Sequence, residues 1–438
     1  MQNVIDTPLL ESGDGFKSEV SEFSSFEGNI ESQKIFHNQE SERSSLFDAF
    51  QLLLNTAIGS GTLMVPYCYT QGIGLSLIIS FCFAVIGYFT LSFMAESGYF
   101  THKYDYRGLF AHTFGEKKLF IINIMITCVQ LGASMIYCHW NGRLMPKLLG
   151  TSGSNKIWGN IPFWTMIMAV FFSLPLVCLK SIHALEKLAV LSTFCIFLLI
   201  IHALYWLIIH ANQNGFENQP KIQWFRPNAA TITSLSVNSM AYNCHLNFFP
   251  AIENMKMATV GRARKLSLLT MVACFILYNV FGIITYVDLR TIGRGSSLEY
   301  YDTHNVFTKI TLVGIIFLLV LSVPIVVWAA RNSINNLIWK NSPPTTLRWI
   351  LIGGTITIVA AGLAATSENV ILFFDVFGGF FTPTIIFCMP AIFYLRNQRN
   401  EPKWRRAIAM FIAGFTVVAI VVILYQVGLE FYHTFFKK

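Results

Sequence analysis

The chain has 438 residues, of which 54% are hydrophobic and only 12% are charged. A soluble domain has about 25% charged residues, so this chain has too few polar side chains to cover a water-facing exterior. The composition excludes soluble enzymes, nucleic-acid-binding proteins and secreted disulfide scaffolds, although the formal net charge is +8. It predicts an integral membrane protein whose main partner is the lipid bilayer.

The charges are unevenly distributed along the chain. Residues 1–48 contain ten acids and three bases, and the basic excess lies in the remainder. An acidic, serine-rich segment without hydrophobic periodicity cannot bury enough apolar surface to offset its ordering entropy. We therefore predict a disordered acidic cytoplasmic tail over residues 1–44. A transmembrane domain over residues 45–431 and a short C-terminal tail over residues 432–438 follow it.

Eleven apolar runs are long enough to cross a bilayer, whose hydrocarbon core of roughly 30 Å needs about 20 apolar residues per helix. Each run must be helical, because lipid offers no partner to backbone N–H and C=O groups. The predicted fold class is thus all-α, with eleven transmembrane helices. The runs lie at residues 46–70, 73–98, 119–145, 161–179, 185–210, 229–252, 266–287, 306–331, 348–367, 369–395 and 406–431.

The distribution of Lys and Arg predicts the orientation. If the N-terminus is cytoplasmic, the cytoplasmic segments hold 21 of the 31 Lys and Arg residues, which is the bias expected of such segments. Eleven spans then place the C-terminus outside the cell or in a lumen. In the tail, the motif Asp6-Thr7-Pro8-Leu9-Leu10 matches an acidic dileucine pattern. It indicates sorting adaptors as partners and a vacuolar or lysosomal membrane, with the plasma membrane as the alternative.

The first run is interrupted near its middle by small and polar residues. It reads Asn55-Thr56-Ala57-Ile58-Gly59-Ser60-Gly61-Thr62, and each glycine weakens a helix by about 1 kcal/mol. Backbone groups that leave the helix at membrane depth survive only inside protein or around a cavity. A break at this place would direct the N–H groups of a half-helix at an anionic group. The alternative is close helix packing by small residues.

The sixth run contains a matching interruption. The segment Tyr242-Asn243-Cys244-His245 precedes Pro250, a residue that disturbs helices. Spans one and six are the first members of two five-span halves, and corresponding interruptions in two halves indicate a transporter site. His245 is a candidate proton-responsive group. The alternative is a histidine that is hydrogen-bonded between helices.

These segments resemble the amino acid/auxin permease family, which includes sodium-coupled neutral amino acid transporters and vacuolar amino acid transporters. The first-span pattern N-x-x-[IV]-G-x-G-x-L-x-x-P-Y is met from Asn55 to Tyr67, and the sixth-span pattern C-H-x-N-x-x-P is met from Cys244 to Pro250. Span eight has Ser322 before Val-Pro, and Gly378-Gly379 fits the tenth span of the family. The likeness covers about residues 46–430.

The resemblance implies a LeuT-type fold, in which five spans and five inverted spans surround a midplane site and an eleventh helix is appended. It also implies a secondary active transporter of neutral amino acids, driven by sodium or protons through alternating access, and not an enzyme. N–H groups of Gly59 to Gly61 suit the carboxylate of an amino acid, and freed carbonyls near Tyr242 to His245 suit its ammonium. The candidate substrate site comprises Ile58, Gly59, Ser60, Gly61, Thr62, Tyr242, Asn243, Cys244 and His245.

Three further residues are candidates for ion coupling. Sodium prefers hard oxygen ligands, and Asn55 and Ser322 resemble the family positions that supply such oxygens from spans one and eight. The alternatives are an Asn55 that ties helices together and a Ser322 that bonds back to its own helix. Asp375 is the third candidate, because a carboxylate within a span is functional by default; its alternative is a protonated or paired structural acid. No cofactor other than sodium is expected.

A second functional class stays open, namely a nutrient receptor that binds an amino acid and signals through the acidic tail. The sequence contains no P-loop, H-E-x-x-H or G-x-S-x-G motif that would indicate an enzyme.

Two other polar positions have structural interpretations. Glu96 is expected to snorkel to the cytoplasmic surface, and His139-Trp140 is expected to belong to an interfacial aromatic belt.

Overall fold

The computed structural model describes residues 45–154, 156–179, 183–213, 219–253, 255–256, 258–293, 295–340, 342–367, 369–398 and 402–436. The predicted N-terminal tail, with its dileucine motif, therefore lies outside the described residues. The predicted C-terminal tail lies partly inside them, and the last helix continues to Phe436 instead of ending at residue 431.

Fourteen helices, joined by 3₁₀ turns and loops, form the described part of the chain. The first seven are α1 (Leu46–Ala57), α2 (Ser60–Cys68), α3 (Ile73–Thr101), α4 (Tyr106–Phe114), α5 (Leu119–Leu148), α6 (Ile161–Cys178) and α7 (His183–Gln213). The other seven are α8 (Ala229–Ala241), α9 (Phe248–Glu253), α10 (Val260–Leu289), α11 (Val306–Trp339), α12 (Thr346–Ala365), α13 (Val370–Asn397) and α14 (Lys403–Phe436).

Nine of the helices in the described residues are long and apolar enough to cross a membrane, namely α3, α5, α6, α7 and α10 to α14. This makes the chain a multi-pass membrane protein. The predicted runs one and six are not continuous helices. Each consists of two short helices, α1 with α2 and α8 with α9.

The start of α1 has a clear local cause. The Ser45 hydroxyl accepts a hydrogen bond from the amide of Asp48 over 3.2 Å, and the Asp48 carboxylate accepts one from the amide of Ser45 over 2.7 Å. This reciprocal pair satisfies N–H groups that have no partner at the first turn of a helix. The helix therefore begins where the predicted tail ends.

Long helices enclose the two broken ones. α11 packs along α5, and α10 packs along α3. Between them, α2 contacts α8 and α10, and α1 contacts α7 and α10. α14 lies at the outside, where Phe411, Val418 and Tyr425 are exposed, as a lipid-facing surface requires.

Two structural interpretations of polar residues were wrong. Glu96 does not snorkel: it is only 3% exposed and forms ion pairs with Arg264 at 2.8 Å and Arg405 at 2.6 Å. His139 and Trp140 are not interfacial, since both are 0% exposed. The reason is that α5 is covered by α11, α12 and α6, so that even its polar positions face other helices.

Candidate functional site

The predicted break in span one is present. α1 ends at Ala57, Ile58 has an extended backbone (φ −73°, ψ 91°), and α2 begins at Ser60. Gly59 precedes α2 and has no side chain to cap its first N–H groups. Uncapped N–H groups at a helix start carry a partial positive charge, so this point can receive an anionic group. The side chain of Ser60 lies outside the described part of the molecule.

The predicted break in span six is also present. α8 ends at Ala241, the backbone leaves the helix over residues 242–244, and a 3₁₀ turn at His245–Asn247 leads into α9. Tyr242, Cys244 and His245 are all 0% exposed, whereas Asn243 is half-buried.

The structure brings the two breaks together. A Cβ atom on Gly61 would lie 2.9 Å from the backbone N and Cα atoms of Ala241, so only a hydrogen atom fits there. Near the other end, the Asn247 amide donates a hydrogen bond over 3.0 Å to the Thr56 hydroxyl. The packing role of small residues and the breaking of the helix are therefore both found in span one.

Tyr278, a residue that the sequence alone does not mark as functional, lies where the two breaks meet. The Tyr278 hydroxyl of α10 is 2.8 Å from the carbonyl oxygen of Ala57 and 2.9 Å from that of Ala241. These carbonyls end the first half-helices of spans one and six. In the sequence, the polar pair Tyr278-Asn279 stands out in an otherwise apolar run. That pattern indicates a polar position within the span, but it does not identify the carbonyls that the Tyr278 hydroxyl contacts.

A buried chain of hydrogen bonds continues from Asn279. The Tyr69 hydroxyl donates to the Asn279 amide oxygen over 2.5 Å, and the Asn279 amide donates to the Ser80 hydroxyl over 2.9 Å. Ser80 is in turn 2.8 Å from the Tyr242 hydroxyl. Spans two and seven thus fix polar side chains that lie beside both breaks.

Helices α5, α7 and α11 border the first break on its other side. A Cβ atom on Gly59 would lie 2.6 Å from the Tyr137 hydroxyl oxygen of α5. Ile58, Gly59 and Thr62 line a narrow cleft together with apolar side chains of α7 and α11. The Thr62 hydroxyl is buried and has no hydrogen-bond partner within the described residues, which makes it available to a bound molecule.

His245 is hydrogen-bonded between helices, as its structural alternative requires. Its Nε2 atom is 2.9 Å from the Thr90 hydroxyl of α3. The Thr90 proton is used within α3, where it points to the carbonyl of Ile86 at 3.0 Å. We therefore assign the proton of this contact to Nε2 of His245.

Each of the three ion-coupling candidates has a hydrogen-bond partner among the described residues. The Asn55 side-chain oxygen accepts a hydrogen bond from the Thr193 hydroxyl of α7. The Ser322 hydroxyl donates over 2.9 Å to the carbonyl of Leu318, on its own helix. These contacts match the structural alternatives, so the sodium site stays a prediction.

Asp375 is buried in a π-helical part of α13, with 1% exposure. The Thr233 hydroxyl of α8 donates to its carboxylate over 3.3 Å, and the Gln426 amide of α14 donates to the same hydroxyl over 3.4 Å. The carboxylate is therefore hydrogen-bonded to span six, one of the two broken spans. This contact is compatible with both roles predicted for Asp375.

Two interrupted spans that meet inside an all-helical membrane protein are a feature of many transporter folds. A family described as transmembrane amino acid transporter protein matches residues 42–430. The chain therefore belongs to this family, and the predicted resemblance is confirmed.

Curated relatives agree with this assignment. The chain is 21% identical over 409 residues to vacuolar amino acid transporter 2 of Saccharomyces cerevisiae, with 87% of this chain and 83% of the relative covered. It is 23% identical over 300 residues to vacuolar amino acid transporter 5 of Schizosaccharomyces pombe, with 67% of this chain and 69% of the relative covered. These relatives support a transporter and not an enzyme.

Solved structures show a LeuT-like fold. The manganese transporter of Eremococcus coleocola has a TM-score of 0.57 at 12% identity and covers 95% of this chain and 91% of its own. A nucleobase-cation-symport-1 family transporter has a TM-score of 0.58 at 10% identity, with 90% of this chain and 94% of that transporter covered. MhsT, solved with L-phenylalanine, has a TM-score of 0.57 at 13% identity, with 88% of this chain and 99% of MhsT covered. At such identities the likeness shows the fold alone.

Proposed function

We propose that this protein is a secondary active transporter of neutral amino acids, driven by sodium or protons, in a vacuolar membrane. The observation that carries the proposal is the meeting of the two helix breaks at Gly61 and Ala241. The family supports amino acids as the substrate class, and the names of two relatives support the vacuolar location. Neither comparison favours the receptor alternative.

The proposed substrate site uses the opposite charges of an amino acid. The carboxylate binds the uncapped N–H groups at the start of α2, where the helix dipole favours an anion. The ammonium binds carbonyl oxygens of the segment from Tyr242 to His245. The carbonyl of Ala241 is not counted among them, because its oxygen lies 2.9 Å from the Tyr278 hydroxyl. In a buried site such hydrogen bonds are stronger than in water.

The proposed topology adds the two broken spans to the nine continuous helices, which gives eleven crossings. Five spans and five inverted spans would then alternate access to the breaks, and α14 would be the appended helix. The N-terminus would be cytoplasmic and the C-terminus lumenal, as the distribution of Lys and Arg predicts.

We infer that an ion gradient supplies the driving force through one of two arrangements. A sodium ion would use the oxygens of Asn55 and Ser322, in exchange for the contacts that these residues make with Thr193 and Leu318. A proton would use Asp375 or His245, which are both buried. Intramembrane ionisable groups are the usual carriers of coupled protons.

Uptake into proteoliposomes tests the proposal. Purified full-length protein is reconstituted, and a panel of radiolabelled amino acids is offered under an inward sodium gradient, an inward proton gradient or no gradient. Protein-free liposomes are the control. We expect gradient-dependent accumulation of neutral amino acids, and no accumulation of any amino acid under either gradient would refute the proposal. Deletion of residues 1–44 should leave the flux intact, whereas a receptor would lose its signalling partner.

A further inference from the structure

One hydroxyl group lies between the two breaks. Where a helix ends, its last carbonyl groups lose the N–H donor of the next turn. The carbonyls of Ala57 and Ala241 are two such groups, and the Tyr278 hydroxyl lies within 2.8 Å and 2.9 Å of their oxygens. A hydroxyl has a single proton to donate. The two half-helices therefore depend on the same donor, although they belong to different spans.

The phenol ring that holds this hydroxyl is itself fixed. Tyr278 is 1% exposed, and its ring meets the ring of Tyr242 edge-on, with centroids 5.5 Å apart. The next residue, Asn279, is hydrogen-bonded to Tyr69 and Ser80. These contacts prevent the ring from swinging away from the two carbonyls.

We propose that Tyr278 is a positioning residue for transport, whose hydroxyl keeps the first halves of spans one and six at one separation. This inference rests on the proposed function. The N–H groups at Gly59 to Gly61 and the polar groups at Tyr242 to His245 then face one substrate together. The two carbonyls share one proton, so any movement that separates Ala57 from Ala241 takes at least one of them out of reach of the Tyr278 hydroxyl. The two breaks therefore move as one unit during alternating access.

The replacement Tyr278→Phe removes the hydroxyl and keeps the ring. We expect the ratio Vmax/KM for amino acid uptake to fall by about tenfold or more, the equivalent of one buried hydrogen bond. Tyr286→Phe is the matched control on the same helix. Tyr286 is also buried, but its one hydrogen-bond partner among the described residues is the amide of Gln223, in a loop, which donates to the Tyr286 hydroxyl over 3.3 Å.

Three measurements on the full-length variants separate positioning from mere stability. They are KM and Vmax per folded molecule in proteoliposomes, the thermal unfolding midpoint, and hydrogen exchange in peptides covering residues 57–62 and 241–245. We expect Tyr278→Phe to raise KM and to speed exchange at both breaks, with an unfolding midpoint close to that of Tyr286→Phe. Unchanged KM and exchange, or the same losses in Tyr286→Phe, would overturn the inference.

The exchange measurement also separates this inference from the proposed function. If the wild-type protein accumulates no amino acid, the proposed function fails, while exchange at the two breaks still decides the role of Tyr278. If the phenylalanine variant does not fold, native-state exchange of the wild-type protein in rising denaturant decides instead. The amides at both breaks are expected to open with one common free energy, and two different opening energies would contradict the inference.

Discussion

Gly61 of α2 lies directly against Ala241 of α8, so closely that a Cβ atom on Gly61 would be 2.9 Å from the Cα atom of Ala241. The contact joins the second half of span one to the end of the first half of span six. Backbone approach of this kind cannot be recovered by a side-chain rotation, because both partners are main chain. The relative position of the two breaks thus depends on the absence of one methyl group.

We expect Gly61→Ala to impair uptake strongly and to destabilise the protein by about 1–3 kcal/mol, the usual cost of overpacking. Gly362→Ala in α12 is the matched control, since a Cβ atom there would meet no atom of the described residues within 4 Å. That change should stabilise α12 slightly, because alanine favours helices more than glycine does. Uptake rates and thermal unfolding of both variants check this prediction. Equal behaviour of the two variants would show that the space between Gly61 and Ala241 accommodates a methyl group.

Gly59 provides a second steric test with a built-in rescue. A Cβ atom on Gly59 would lie 2.6 Å from the Tyr137 hydroxyl oxygen. We expect Gly59→Ala to reduce uptake, and we expect the additional change Tyr137→Phe to restore part of it by removing that oxygen. A double-mutant cycle on uptake rates measures the coupling. Purely additive effects would show that the two residues do not compete for the same space.

The sequence could predict where the spans break, but not what holds the breaks. Gly59, Gly61 and Pro250 change local backbone energetics, so their effect is visible from the residues alone. The role of Tyr278 depends on carbonyls that lie 221 and 37 residues away in the chain, and any residue type offers such a carbonyl. Distant partners of this kind emerge only from the packed structure.

Distant partners also explain why the prediction that Glu96 snorkels to the cytoplasmic surface was wrong. Its position near a span end allowed snorkelling, because the arginines of α10 and α14 that bury it are distant in the sequence. Replacing Glu96 by Gln leaves Arg264 and Arg405 close together without the carboxylate that pairs with both. We expect a loss of about 3–5 kcal/mol in unfolding free energy, as for other broken buried ion pairs. Chemical denaturation measures this loss of unfolding free energy. Glu116→Gln is the control, because Glu116 is exposed.

The hydrogen bond between His245 and Thr90 predicts a third stability effect. Thr90→Val would leave a buried ring N–H without its acceptor, which costs about 1–3 kcal/mol. Ser92→Ala, on the same helix, is the control, because within the described residues the Ser92 hydroxyl bonds only to the carbonyl of Tyr88. Thermal unfolding should distinguish the two variants. An undiminished unfolding midpoint in Thr90→Val would mean that His245 finds another acceptor.

The sodium prediction can be tested on α11 with two serines that make the same local contact. Ser322 bonds to the carbonyl of Leu318, and Ser333 bonds to that of Ala329, each four residues back along the helix. Loss of the hydroxyl therefore has the same local effect at both positions, and only Ser322 is proposed to bind sodium. We expect Ser322→Ala to raise the sodium concentration for half-maximal uptake by about tenfold, the equivalent of one lost ligand contact. Ser333→Ala should leave it unchanged. If Ser322→Ala preserves the sodium dependence of a sodium-driven flux, the assigned sodium site is wrong.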